Sequence, residues 1–164
     1  MNESPNESKR AQVSNLCPKL IVDDQEVDRL FATLDRFGSF GPPPGELSIA
    51  FVSKAEISRI HEQFMNDRAP TDVITFPADS ENGLAGEICV CPEIAFEYGR
   101  ENGIQFSDEL SLYLIHGYLH LCGFDDRSDR TRTEMRIAED KAMNLAQSHG
   151  ALPVFKLEED VEWI

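Results

Sequence analysis

Residues 110–121 constrain the fold more than any other stretch. Leu110, Leu112, Tyr113, Leu114, Ile115, Leu119 and Leu121 spread around nearly the whole circumference of one helix. A helix that is apolar on every side has no face to offer water, so other elements must pack around it. Ser107 reads as its N-cap, Asp108 and Glu109 stand in its first turn, and Gly123 ends it. A chain of 164 residues has room for one such domain and little else.

The elements that could surround this helix follow from local pattern. Lys19-Leu20-Ile21-Val22 reads as a first strand, and Asp24 caps a helix with Val27, Leu30, Phe31 and Leu34 on one face. Pro42-Pro43-Pro44-Gly45 is a stiff connector. Glu46 to Val52 alternates at period two, as a half-buried strand does. Ser53 with Glu56 forms a capping signal for the helix that buries Ile57, Ile60 and Phe64. Val73-Ile74-Thr75-Phe76 and Glu87-Ile88-Cys89-Val90-Cys91 read as two more strands, joined through a hairpin loop at Asp79–Gly83. Pro92 opens a short helix, and a last amphipathic helix runs from Ser128 to Ser148. The predicted class is α+β, a single domain with a small mixed sheet of about four strands and the His-bearing helix buried against it. The first two strands, joined through a helix, are expected to be parallel and the last two antiparallel. Residues 1–15, rich in Ser, Asn and Glu, read as a disordered tail, 16–152 as the domain, and 153–164 as an acidic C-terminal tail.

Composition removes several classes. No run of ~18 apolar residues is present, which excludes a transmembrane helix. The polar start MNESPNESKRAQVSN has no apolar core of a secretory signal. Four cysteines are too few for a disulfide scaffold, so the expected compartment is the cytoplasm. Lys and Arg total 15 against 30 Asp and Glu, a net charge of −15, which argues against adhesion to an anionic membrane and gives no global pull toward nucleic acid.

Chemistry concentrates in His116-Gly117-Tyr118-Leu119-His120-Leu121-Cys122-Gly123-Phe124-Asp125-Asp126. His116 and His120, four apart, lie one turn above each other on the same helix face. A single helical His is usually satisfied in the core or on the surface. Two in a buried helix are rarer, because each ring brings two nitrogens that need partners. Gly123 lets the chain turn back, and Asp126 follows three residues later as a third ligand. Two imidazoles and a carboxylate with one open position make a catalytic zinc arrangement. Zinc peptidases of the H-E-x-x-H type place a Glu base directly after the first His; here that position is Gly117.

The block from His116 to Asp126 resembles the H-G-x-L-H-L-x-G-Y-D-H signature of the YbeY family of bacterial rRNA-maturation endoribonucleases. Pro70-Thr71-Asp72-Val73-Ile74-Thr75-Phe76-Pro77 is similar to that family's P-T-D-V-L-S-F-P strand, and Gly86-Glu87-Ile88 to the strand start that follows it. The likeness spans roughly Leu47 to Gln147. It implies a cytoplasmic, zinc-dependent, single-strand-specific endoribonuclease acting in 16S rRNA 3′-end maturation and ribosome quality control. The implied partners are single-stranded rRNA and ribosomal or ribosome-assembly proteins. It carries the metal-ligand roles onto His116, His120 and Asp126. The family's third ligand is His, and the carboxylate of Asp126 also suits Mn²⁺ or Mg²⁺. Many members carry an Arg where this chain has Met65, and Arg68 is the nearby replacement.

Other residues have two readings. Asp125 can orient a ligand or accept a proton from water at the site, or it can cap the last helix. Arg127, Arg130, Arg132 and Arg136 form either a solvated face or a phosphate-binding patch. Cys89 and Cys91 read as small buried hydrophobes, and Thr71 and Asp72 as turn residues. Two other functions stay open on residues alone: a metal-free interaction module of ribosome assembly, which the acidity suits, and a metal-dependent hydrolase of another substrate.

Overall fold

The computed structural model describes residues 9–65 and 71–158. The elements run β1 (Ala11–Asn15), β2 (Leu20–Ile21), α1 (Asp24–Phe37), β3 (Glu46–Phe51), α2 (Lys54–Met65), β4 (Val73–Phe76), β5 (Leu84–Val90), α3 (Pro92–Asn102), α4 (Phe106–Leu121), α5 (Asp129–Ser148) and β6 (Lys156–Leu157). A single 3-10 turn at Ser80–Asn82 links β4 to β5. The expected α+β class holds. A four-stranded mixed sheet has the order β1-β3-β5-β4, with β1 and β5 parallel to β3 and β4 antiparallel to β5.

One strand assignment is corrected. The parallel partner of β3 is not Lys19–Val22 but Ala11–Asn15, which pairs Val13 with Ile49. Leu20 and Ile21 pair instead with Leu157 and Lys156 in a separate antiparallel ribbon. Residues 11–15 are therefore not a disordered tail. As an edge strand, β1 exposes Gln12, Ser14 and Asn15, so only Ala11 and Val13 carry its apolar signal. Non-local contacts hold it: Ala11 N donates to Asp28 Oδ1 at 2.8 Å, Arg10 Nε pairs with Asp35 Oδ2 at 2.8 Å, and Arg10 also donates to Pro43 O and Gly45 O.

The other end is corrected for the same reason. Residues 153–157 are part of the packed structure rather than an acidic tail, because Phe155 is buried against the rings of Phe51 and Phe106. Ser107 serves this contact and does not cap α4: its hydroxyl donates to Phe155 O and accepts from Phe155 N at 2.8 Å. Gln105 occupies the N-cap without a side-chain bond. Elsewhere the local signals hold. Ser53 caps α2, Ser128 rather than Asp125 caps α5, since the Asp125 carboxylate accepts from Arg127 N instead, and Asp23, one residue before the expected Asp24, caps α1.

Alternate residues of β5 face opposite sides of the sheet. Ile88 and Val90 enter the main core with α1 and α4, whereas Cys89 and Cys91 join Ile57 of α2 in a second cluster. Helix α4 lies on β4 and β5 with α3 and α5 beside it, which explains its all-round apolar surface. Gly117 makes this approach possible. A Cβ there would stand 2.6 Å from Ile88 Cγ2 and 3.3 Å from side-chain atoms of Thr75 and Val73.

Candidate metal centre

The last turn of α4 presents two imidazoles to one point. His116 Nε2 and His120 Nε2 are 3.0 Å apart, with the rings near perpendicular at 81°. Past the helix the chain reverses at Gly123, whose φ of +102° suits glycine, and Phe124 N closes the turn on Leu119 O at 3.0 Å. That reversal carries Asp126 Oδ2 to 3.7 Å from His116 Nε2 and 3.9 Å from His120 Nε2. All three ligand atoms lie within 4.8 Å of one another. Ligands about 2.0–2.2 Å from a tetrahedral ion stand about 3.4 Å apart, so shifts of a few tenths of an ångström would seat one. The three residues named from sequence spacing are thus brought together and can hold a metal ion.

A fourth residue completes the arrangement. Glu139 of α5 accepts from His116 Nδ1 at 3.2 Å. With the proton held on Nδ1, the lone pair of Nε2 points at the metal position. Spacing within the His block could not reveal Glu139, which approaches from another helix. Its one signal was a carboxylate beside the buried stripe Met135, Ala138 and Ala142 of α5. Electrostatics separate the two histidines. Burial pulls the His116 pKa down, but the hydrogen bond and charge of Glu139 outweigh it, helped by Asp126 and Asp72, and the net shift is upward. His120 is lowered, by burial first and by the neighbouring His116 second.

Gly117 also decides what the site cannot contain. A side chain at this position points into the sheet, not toward the metal position, so the peptidase-type base has no room there. Asp125 Oδ1 accepts from Arg127 N at 3.1 Å and so holds the turn. The hydroxyl of Thr131 and this backbone bond keep its carboxyl below the usual range. Arg68 and the residues around it, 66–70, lie outside the described residues. In the arginine cluster, Arg130 pairs with Glu134 at 3.8 Å and Arg132 with Asp129, as a solvated helix face does. Cys89 and Cys91 are buried, and burial pushes their thiols up to about 12 and about 11.

Beside the metal centre lies a cleft of about 480 Å³ that opens on His116. Its walls include Tyr98, Leu112 and Tyr113, with carboxylates from Asp72, Glu109 and Glu139. Glu109 is only 5% exposed. Its pKa is raised, chiefly by burial, against the lowering effect of the Tyr113 hydroxyl, with Asp72 and Glu139 adding to the rise. Asp72 fills the expected turn role by accepting from Val73 N at 2.9 Å, but it also faces this cleft.

A family model described as Endoribonuclease YbeY matches residues 12–147. The chain belongs to the YbeY endoribonuclease family. Endoribonuclease YbeY of Beutenbergia cavernae is 38% identical over 137 residues, covering 76% of this chain and 88% of the relative. Endoribonuclease YbeY of Protochlamydia amoebophila is 40% identical over 102 residues, 60% of this chain and 68% of its own length. The solution structure of a Thermotoga maritima protein aligns with a TM-score of 0.57 and 26% identity, over 86% of this chain and 94% of that one. Membership of the YbeY family makes this chain an endoribonuclease, a hydrolase acting on RNA. Among the described residues no helix is long and apolar enough to cross a membrane.

Proposed function

We propose that this YbeY-family chain is a zinc-dependent endoribonuclease specific for single-stranded RNA, with His116, His120 and Asp126 as the metal ligands. The convergence of those three ligand atoms, backed by Glu139, is the observation that carries the reading. When bound, zinc supplies Lewis-acid polarisation of a phosphoryl oxygen and a lowered pKa for water at its open position. The protein's own part is to orient His116 through Glu139 and to hold Asp126 in place through the Gly123 reversal. Asp125, an exposed carboxylate beside Asp126 that stays ionised at neutral pH, is proposed to accept the proton of the attacking water. Arg68 is proposed to offset phosphate charge, on the strength of the sequence alone. Attack by water on the phosphodiester needs no covalent enzyme intermediate.

The role we propose is 16S rRNA 3′-end maturation and ribosome quality control in the cytoplasm, with rRNA and ribosomal or assembly proteins as partners. Residues 16–152 are proposed as the catalytic unit, which β1 and residues 153–157 complete. Manganese or magnesium is the alternative ion that the Asp126 carboxylate admits. The test combines metal analysis and cleavage of single-stranded RNA, with and without chelator, on protein lacking a polyhistidine tag. Wild type should bind one zinc and cleave, His120→Ala should lose both, and Asp125→Asn and Arg68→Ala should keep the metal and lose rate. Cleavage that survives both chelation and His116→Ala would sink the proposal. Zinc-loaded protein that cuts no single-stranded RNA would turn the reading to the interaction module.

A further inference from the structure

The cleft beside the metal centre has a composition unlike that of a phosphate site. Among the described residues its charged walls are Asp72, Glu109 and Glu139, and His116 is the one lining side chain there able to carry a positive charge. A phosphodiester held at His116, His120 and Asp126 would therefore be repelled from the cleft itself, and so would its neighbouring phosphates. The part of an RNA strand that fits there is neutral, flat and rich in hydrogen-bond donors. A nucleobase has those properties. Single-stranded RNA is read by stacking splayed bases on aromatic rings and bonding their Watson–Crick edges. Tyr98 stands 47% exposed on one wall, and Glu109 is buried within, beside Tyr113.

Resting on the endoribonuclease reading, we infer that this cleft is a base subsite that takes the nucleobase flanking the cleaved phosphodiester and selects guanine through Glu109. A carboxylate offers two acceptors side by side. Guanine alone presents two adjacent donors, N1–H and N2–H, and so meets them in a bidentate pair. Adenine and cytosine each bring one amino donor next to an acceptor. Uracil brings a single N3–H flanked by two carbonyl oxygens, which face the carboxylate unfavourably. Tyr98 contributes stacking, which every base supports, and so adds affinity without choosing among bases. A second metal ion is the other occupant three carboxylates suggest. Among the described residues, only His116, His120 and Asp126 form a group whose ligand atoms converge closely enough for one ion.

The experiment is digestion of a randomised single-stranded RNA pool by the zinc-loaded full chain, with sequencing of the new ends. Wild type should enrich guanine over uracil about tenfold at one position beside the cut, the scale of one bidentate pair. Glu109→Gln, of nearly the same shape, turns one acceptor into a donor and should abolish the guanine preference at that position, since a carboxamide's adjacent donor and acceptor match adenine, cytosine and uracil alike. Tyr98→Ala should raise KM for all sequences and leave the preference where it was. A melting curve for Glu109→Gln checks that it folds. Cleavage with no base preference, or with a preference that Glu109→Gln leaves unchanged, would overturn the subsite and leave the nuclease reading intact. If wild type cuts nothing, the nuclease reading fails instead, and saturation-transfer NMR with guanosine and uridine decides the subsite. A guanosine-selective signal that Glu109→Gln abolishes supports it, and equal signals refute it.

Discussion

Glu139 should matter to the metal while touching none of it. It holds His116 Nδ1 at 3.2 Å, and its side chain is 15% exposed, so water screens the contact only weakly. A hydrogen bond to a charged group contributes about 1.5–3 kcal/mol. Divided by 1.4 kcal/mol per decade, that is about 10- to 100-fold in zinc affinity, which matches the usual effect of losing a carboxylate behind a metal-bound imidazole. Glu139→Ala removes both acceptor and charge and should raise the zinc Kd by that factor. Glu139→Gln keeps an acceptor for Nδ1 and loses the charge, so its loss should be smaller, about three- to tenfold. Competition against a fluorescent chelator at neutral pH measures all three proteins. The metal-free melting temperature of Glu139→Gln should equal that of wild type, which separates positioning of the imidazole from folding. A Glu139→Ala protein that binds zinc within twofold of wild type would refute the orienting role.

Three further outcomes follow from the packing. Gly117→Ala drives a Cβ to 2.6 Å from Ile88 Cγ2, and should destabilise by about 1–3 kcal/mol in chemical denaturation; an unchanged midpoint would show that α4 can lift off the sheet without cost. Cys17, Cys89, Cys91 and Cys122 all have thiols raised, burial being the first cause in each. Each stays protonated below its raised pKa, so its contribution to stability is complete at pH 7 and is lost only as pH climbs through that value. Iodoacetamide at about pH 8 should therefore label the native chain slowly and the denatured chain at all four sites, as mass spectrometry would read; rapid native labelling at Cys89 or Cys91 would contradict their burial. Phe155→Ala should cost about 3–5 kcal/mol if residues 153–157 complete the core, and under 0.5 kcal/mol if they are a tail.

Short-range pattern alone brought together the three residues that can hold a metal ion. His116 and His120 meet because a helix repeats every 3.6 residues, and Asp126 returns because Gly123 takes a positive φ. The burial of α4, the cap at Ser53 and the inward side of Cys89 and Cys91 are equally local, each written in a few neighbouring residues. Which strand lies beside β3 was not of this kind. Leu20 and Ile21 look more strand-like than Ala11–Asn15, yet Leu157 pairs with Leu20 from the far end of the chain, while Asp28 and Asp35 secure the first strand. An edge strand needs hydrogen bonds on one side only, so it can form with almost no apolar signal of its own. Tertiary structure likewise decided which other elements reach His116: Glu139 arrives from α5 and Asp72 from the start of β4. Packing of helices against a sheet sets these approaches, and no spacing along the chain encodes a distance between elements that meet only when the core closes.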